Sequence, residues 1–207
     1  MISMMLAVVA VFIILVSCEL WWQKHENDDE FSRKTVHITI GSFVAFWPFF
    51  LSWGQIELLS VAFLLVVSAS KYLNLFEAIH SVQRPTWGEL FFAAAVGIVA
   101  LVTQDQWVYT ASLLQMSLAD GLAAIVGTRF GGRYKYIVFG HPKSVAGTLT
   151  FIVVSLTILL VLSSHLGPSI AVIVGISLLA SLIENVGVKG SDNLLVPLVV
   201  ALILTHG

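Results

Sequence analysis

Apolar runs long enough to cross hydrocarbon recur along nearly the whole chain, near residues 2–22, 36–52, 55–73, 88–103, 107–127, 145–164, 168–184 and 193–206. A backbone exposed to lipid must satisfy its own hydrogen bonds, so each run is read as a helix. The balance of residues agrees. Of 207 residues 58% are hydrophobic and only 11% charged, with mean hydropathy +0.96. A soluble domain needs a charged surface over its core, so the solvent for this chain is lipid. The expected fold is all-α: a polytopic integral membrane helical bundle of about eight transmembrane helices, with seven as the alternative count, formed as one domain over 1–207. The second, seventh and eighth runs are short, and Pro48 and Pro197 are expected to kink or break their helices. The net charge of -2 decides nothing, and the single cysteine, Cys18, allows no intrachain disulfide. The first run lacks a basic flank before it and reads as a retained span rather than a secretory signal.

Lys and Arg set the orientation. All 10 basic residues fall in alternate loops. Lys24, Arg33 and Lys34 precede the second run, Lys71 sits at the end of the third and Arg84 follows it. Arg129, Arg133, Lys135 and Lys143 follow the fifth, and Lys189 follows the seventh. Those loops are expected in the cytoplasm, with both termini outside and Trp47, Trp53 and Trp107 as anchors at the far interface. The segment Asn74 to Pro85 alternates apolar and polar residues and reads as an interfacial helix.

Three polar clusters interrupt this pattern, all on the basic side. The fifth run carries Asp120 among the small residues Ala119, Gly121, Ala123, Ala124 and Gly127. An ionised Asp in hydrocarbon costs several kcal/mol unless paired, hydrated or metal-bound. One reading is tight helix packing through Ala123 and Gly127 with Asp120 paired to a basic residue. The other follows from the continuation TRFGGRYKYIVFGHPKS, where Gly131, Gly132 and Gly140 lie among four basic side chains including Arg129. Glycine-rich backbone near fixed cations suits a polyphosphate. The pattern GxxxxGK[ST] is absent, so this is no P-loop. In the second cluster, RKTVHITIG, helical spacing puts Arg33, Lys34 and His37 on one face. They read as an inside anchor or as phosphate ligands, with His37 a proton carrier or donor. In the third, ENVGVKGSDNLLVP, Glu184, Asp192 and Asn193 offer hard oxygen ligands of the kind that hold Mg2+ beside phosphates, unless Asp192 merely caps the last helix. No His/Cys metal spacing or nucleophile elbow appears, and nothing suggests nucleic acid.

At these residues the sequence resembles the membrane family of polyprenol, dolichol and phytol kinases, which includes CTP-dependent diacylglycerol kinases. The resemblance rests on RKTVHITIG at 33–41, ADGLAAIVGTRFG at 119–131, KSVAGT at 143–148 and ENVGVKGSDNLLVPL at 184–198. Ala119 stands where many members have glycine, and Ala146 where many have glutamate. The alanine at 146 resembles the diacylglycerol kinase branch, whereas Asp192-Asn193 with Pro197 resembles the phytol and polyprenol members.

The resemblance implies transfer of the γ-phosphoryl group of CTP, with ATP as the alternative donor, to a membrane lipid alcohol. It implies Mg2+ on Asp120, Asp192 and Glu184, and catalytic roles for Asp120, His37 and Lys143. Nucleotide contacts would come from Arg33, Lys34, Ala119, Gly121, Gly127, Arg129, Gly131, Ser144, Gly147 and Asn193. Two other classes stay open: a cytidylyltransferase making a CDP-linked lipid, and a non-enzymatic membrane protein or transporter.

Overall fold

The computed structural model describes residues 1–24, 29–73 and 87–207. The expected interfacial helix at 74–85 lies outside the described residues. The helices are α1 (Ile2–Lys24), α2 (Asp29–Ala45), α3 (Trp53–Leu73), α4 (Gly88–Val102), α5 (Gln106–Leu114), α6 (Asp120–Phe130), α7 (Val145–Leu166), α8 (Ile170–Val186) and α9 (Asp192–His206). A π-helical turn, Gln115–Ala119, joins α5 to α6 in one continuous rod. Three rods, Ile2–Trp21, Gln106–Phe130 and Val145–Leu166, are long and apolar enough to cross a membrane. Helices of 10–17 apolar residues fall at Trp53–Ala69, Gly88–Val102, Ile170–Val186 and Asp192–His206.

Several boundaries differ from expectation for simple reasons. α2 begins at Asp29, well before the apolar run, because hydropathy registers only the greasy part of a helix whose first turns are polar. It stops at Ala45, and Pro48 sits in a 3-10 turn, Trp47–Phe49. α9 runs unbroken through Pro197, which lies inside the helix in its second turn. Trp47 is buried in the core and is not an interfacial anchor. The glycine-rich stretch after the fifth run contains a small antiparallel hairpin, β1 (Lys135–Val138) with β2 (His141–Ser144), an addition to the all-α expectation. Its two-residue turn has φ 47° at Phe139 and φ 80° at Gly140. Positive φ at both central residues matches the twist of a tight hairpin.

Two apolar clusters fill the interior. One joins α1 to α5, with Val99, Tyr109 and Met116 fully enclosed. The other joins α5 to α9 around Phe151, Leu159 and Val200. At one end of the bundle Trp107 stacks on His165 at 3.9 Å and meets Phe49 at 4.8 Å, linking three turns. At the opposite end Trp87 N–H donates to Lys189 O at 3.0 Å, and Asn193 Nδ2 donates to Gly88 O at 2.9 Å. The three polar sequence clusters all reach this second end.

Absent side chains set how closely the helices meet there. A Cβ on Gly121 would lie 2.3 Å from Ile38 Cγ1 of α2. A Cβ on Gly127 would lie 3.3 Å from Gly147 Cα of α7. Interior packing leaves no room for such overlap. Gly121→Ala should therefore lower the melting temperature and weaken α2–α6 packing, and adding Ile38→Ala should recover much of the loss. Thermal unfolding of the single and double variants checks this, and simple additivity of the two losses would contradict it.

Candidate active site

Asp120 opens α6 and is 4% exposed. Its position depends on the π turn before it. Asp120 N–H reaches Gln115 O, five residues back, instead of Met116 O as in a regular α-helix. Met116 O is thereby left for another donor and accepts from His37 Nε2 of α2 at 2.9 Å. His37 Nε2 also lies 3.6 Å from Asp120 Oδ2, and Lys34 Nζ, one turn earlier on α2, donates to that oxygen at 2.5 Å. The face predicted for Lys34 and His37 exists, and it is laid along the Asp120 carboxylate.

A second ion pair stands beside the first. Lys143, in β2, donates to Glu184 Oε1 at 2.5 Å and to Glu184 O at 2.8 Å. Glu184 lies in the last turn of α8 and is 7% exposed. Burial is the largest single influence and works against the Lys143 ammonium, but the charge and hydrogen bond of Glu184 together with Asp192 and Asp120 outweigh it, so the lysine pKa is raised. Lys143 shares a hairpin face with Tyr136, its register partner. The Tyr136 hydroxyl bonds Asn185 Oδ1 and Thr148 Oγ1, fastening hairpin, α7 and α8 together. Sequence reasoning passed over Tyr136, Thr148 and Asn185. The signal was that Tyr136 lies in TRFGGRYKYIVFGHPKS, Thr148 ends KSVAGT and Asn185 adjoins Glu184 in ENVGVKGSDNLLVPL.

Asp192 completes the cluster from the first turn of α9. The turn before it is tight, with φ 54° at Lys189 and 88° at Gly190. Ser191, not Asp192, is the N-cap residue, so the capping role considered for Asp192 is not the one it takes. One oxygen each of Asp120, Glu184 and Asp192 lie within 4.8 Å of one another. Lysines hold the first two carboxylates. Asp192 Oδ1 is enclosed and has no hydrogen-bond partner among the described residues. Enclosed polar atoms are normally satisfied, so this oxygen marks room for a cation or a donor. The trio offers hard oxygen ligands at a spacing one divalent ion can bridge.

The remaining sequence candidates are used differently. Ser144 caps α7, accepting from Gly147 N–H at 3.1 Å and donating to Gly127 O at 3.3 Å. Gly121, Gly127 and Gly147 are occupied by helix contacts, Ala119 is packed in the core, and Gly131 lies against Ser144. Asn193 ties α9 to α4. Arg129 is exposed, its guanidinium 5.9 Å from the Phe130 ring centroid. Arg33 is half-buried and lines a cleft beside His37.

Comparison with known proteins decides the kinship. The chain is 33% identical over 204 residues to a phytol kinase of Synechocystis sp., covering 94% of this chain and 86% of that protein. The chain belongs to the polyprenol and phytol kinase family. An uncharacterized protein of Methanocaldococcus jannaschii is 27% identical over 191 residues, covering 86% of this chain and 93% of its own length. No family model and no solved structure matches. Together with its apolar helices, membership of the kinase family makes this a membrane protein.

The Lys34–Asp120 pair carries a stability prediction. Lys34→Met removes the cation and leaves a buried carboxylate uncompensated, a loss of about 3–5 kcal/mol where such pairs have been broken. Adding Asp120→Asn should restore most of the lost stability. Unfolding of the two single variants and the double variant checks this, and a double variant as unstable as the sum would rule out the coupling.

Proposed function

We propose that the protein is a multi-pass membrane kinase. It moves the γ-phosphoryl group of a nucleoside triphosphate, CTP in our reading with ATP as the alternative, to the hydroxyl of a lipid alcohol. The acceptor is an isoprenoid alcohol of the phytol, polyprenol or dolichol kind, or diacylglycerol. The observation that carries this is the convergence of Asp120, Glu184 and Asp192 with Lys34 and Lys143 at one end of the bundle. Phosphoryl transfer asks for charge neutralisation and in-line positioning more than for covalent chemistry.

The unsatisfied Asp192 Oδ1 and the spacing of the trio fit Mg2+, held by Asp120, Glu184 and Asp192. When bound, Mg2+ neutralises charge on phosphate oxygens. Lys34 and Lys143, each resting on a carboxylate, are the cations available to those oxygens, and Arg33 and Arg129 add positive charge at the same end. His37, fixed by Met116 O beside Asp120, is with the carboxylates a candidate to take the alcohol proton.

The direct test is purified protein, labelled CTP or ATP, and a panel of phytol, farnesol, long polyprenol and diacylglycerol. A kinase releases the nucleoside diphosphate; pyrophosphate release would instead make the protein a cytidylyltransferase. Asp120→Asn and Asp192→Asn should each lower turnover by about a hundredfold or more, and both should weaken Mn2+ binding followed by electron paramagnetic resonance. Near-normal turnover with unchanged Mn2+ binding would reduce the trio to a packing device.

The site is assigned to the cytoplasmic face, with both termini outside, on the ten-to-none split of basic residues between alternate loops. In a Cys18→Ala background, cysteines placed at Gln55, Asp105 and Gly167 should react with an impermeant reagent from outside. Labelling from the cytoplasm alone would reverse the orientation.

A further inference from the structure

A cleft opens between α1, α2, α3 and α4 beside His37. It holds about 570 Å³ of empty space, counted out to the open solvent at its mouth. Its walls are apolar: Leu15 of α1, Val36 and Ile40 of α2, Phe63 and Val67 of α3, and Phe92 of α4. Its polar lining comes from Arg33, His37, Glu89 and Asn193. The aromatic wall is continuous with the acidic cluster. Phe92 meets His37 edge-on at 5.2 Å and Phe63 at 6.4 Å, while His37 Nε2 lies 3.6 Å from Asp120 Oδ2. Asn193 adjoins Asp192 in sequence, so two elements of the cluster also border the cleft.

We propose that this cleft is the acceptor site. It holds the part of the lipid alcohol's apolar tail nearest the hydroxyl, with the hydroxyl toward His37. The proposal rests on the lipid-alcohol kinase reading and adds to it where the acceptor lies and what it is selected by. Apolar walls that lead to polar side chains match an amphiphile with a single polar end. Length narrows the inference. Arg33 and Ile40 are seven residues apart on one helix, about 10 Å along its axis. The hydrocarbon core is about 30 Å thick. A long tail therefore has only its first segment in the cleft, and the rest runs into lipid. Selectivity then follows the branching and saturation of that first segment, read by Phe63 and Phe92, and not the total length of the tail. Leu15 contributes the α1 wall of the cleft.

The test uses the full-length protein in nanodiscs. A long-chain alcohol with a diazirine near its hydroxyl is photolysed without nucleotide, and the labelled peptides are mapped. Labelling is expected on α2, α3 and α4 around Ile40, Phe63 and Phe92, competed by unlabelled geranylgeraniol. Leu15→Trp, at a half-buried position, should reduce it several-fold. Labelling confined to outward-facing residues such as Leu65 and Val66, or indifferent to Leu15→Trp, overturns the proposal. In turnover assays, KM for farnesol, geranylgeraniol and a long polyprenol should agree within about threefold. Phe63→Ala should shrink the preference between branched and unbranched alcohols, with KM for the nucleotide as the check that the variant is folded. A steep dependence of KM on total tail length also overturns the proposal. The two readings fail separately. Specific labelling without phosphoryl transfer to any alcohol overturns the kinase and keeps the cleft. Transfer with labelling only outside the cleft does the reverse.

Discussion

An ionised carboxylate enclosed by apolar helices is the constraint to which the rest of the site answers. Asp120 has few water contacts to stabilise its charge, and a lone charge in such surroundings would cost several kcal/mol. Lys34 supplies the compensation, and that requirement reaches far along the chain. α2 must continue as a helix well past its apolar part so that Lys34 comes level with Asp120. α6 must come close enough to receive it, which Gly121 allows by leaving space for Ile38. The same approach brings His37 to Met116 O. Packing and electrostatics are here one arrangement seen twice: the contact that excludes water also delivers the counter-charge.

Glu184 and Lys143 repeat the solution with other elements, a helix end and a hairpin strand. The hairpin gains its position from Tyr136, which joins Asn185 and Thr148. Asp192 departs from the pattern, since no lysine or hydrogen-bond donor among the described residues meets its Oδ1. Two satisfied carboxylates beside an unsatisfied one make an uneven charge distribution, and that unevenness is where a ligand has the most to gain.

Much of this was legible in the residues. Charged and polar groups within apolar runs are rare enough to stand out, so Asp120, Lys34, His37, Lys143, Glu184 and Asp192 could be named from sequence, and the structure gathers them at one end. What they do to one another was less legible. Hydropathy sees no helix in Asp29 to Thr35, because those turns are polar. The glycines read equally as room for phosphate and as room for a helix, and a one-dimensional pattern does not say which neighbour arrives; here it is Ile38 and Gly147. The hairpin was missed because a two-strand ribbon of four residues each has too short a period to register among glycines and cations. The cleft beside His37 draws on four helices, and no local spacing announces a surface assembled from such distant segments.

The π turn has a consequence for how such a rod can change over time. One residue more than a regular α-helix turns everything after it by about 100°. Residues before Gln115 keep their faces toward Ala45 and the first core cluster, while those after Ala119 take their bearings independently. The rod is in effect two helices with separately adjustable azimuths, spliced without a loop. Val108 to Leu113 of the upper half are all buried, so that half answers to its protein neighbours, while the lower half keeps Asp120 on Lys34 and beside Glu184 and Asp192. A single-residue deletion within 115–119 would fuse the two into one helix and swing the carboxylate away from its lysine.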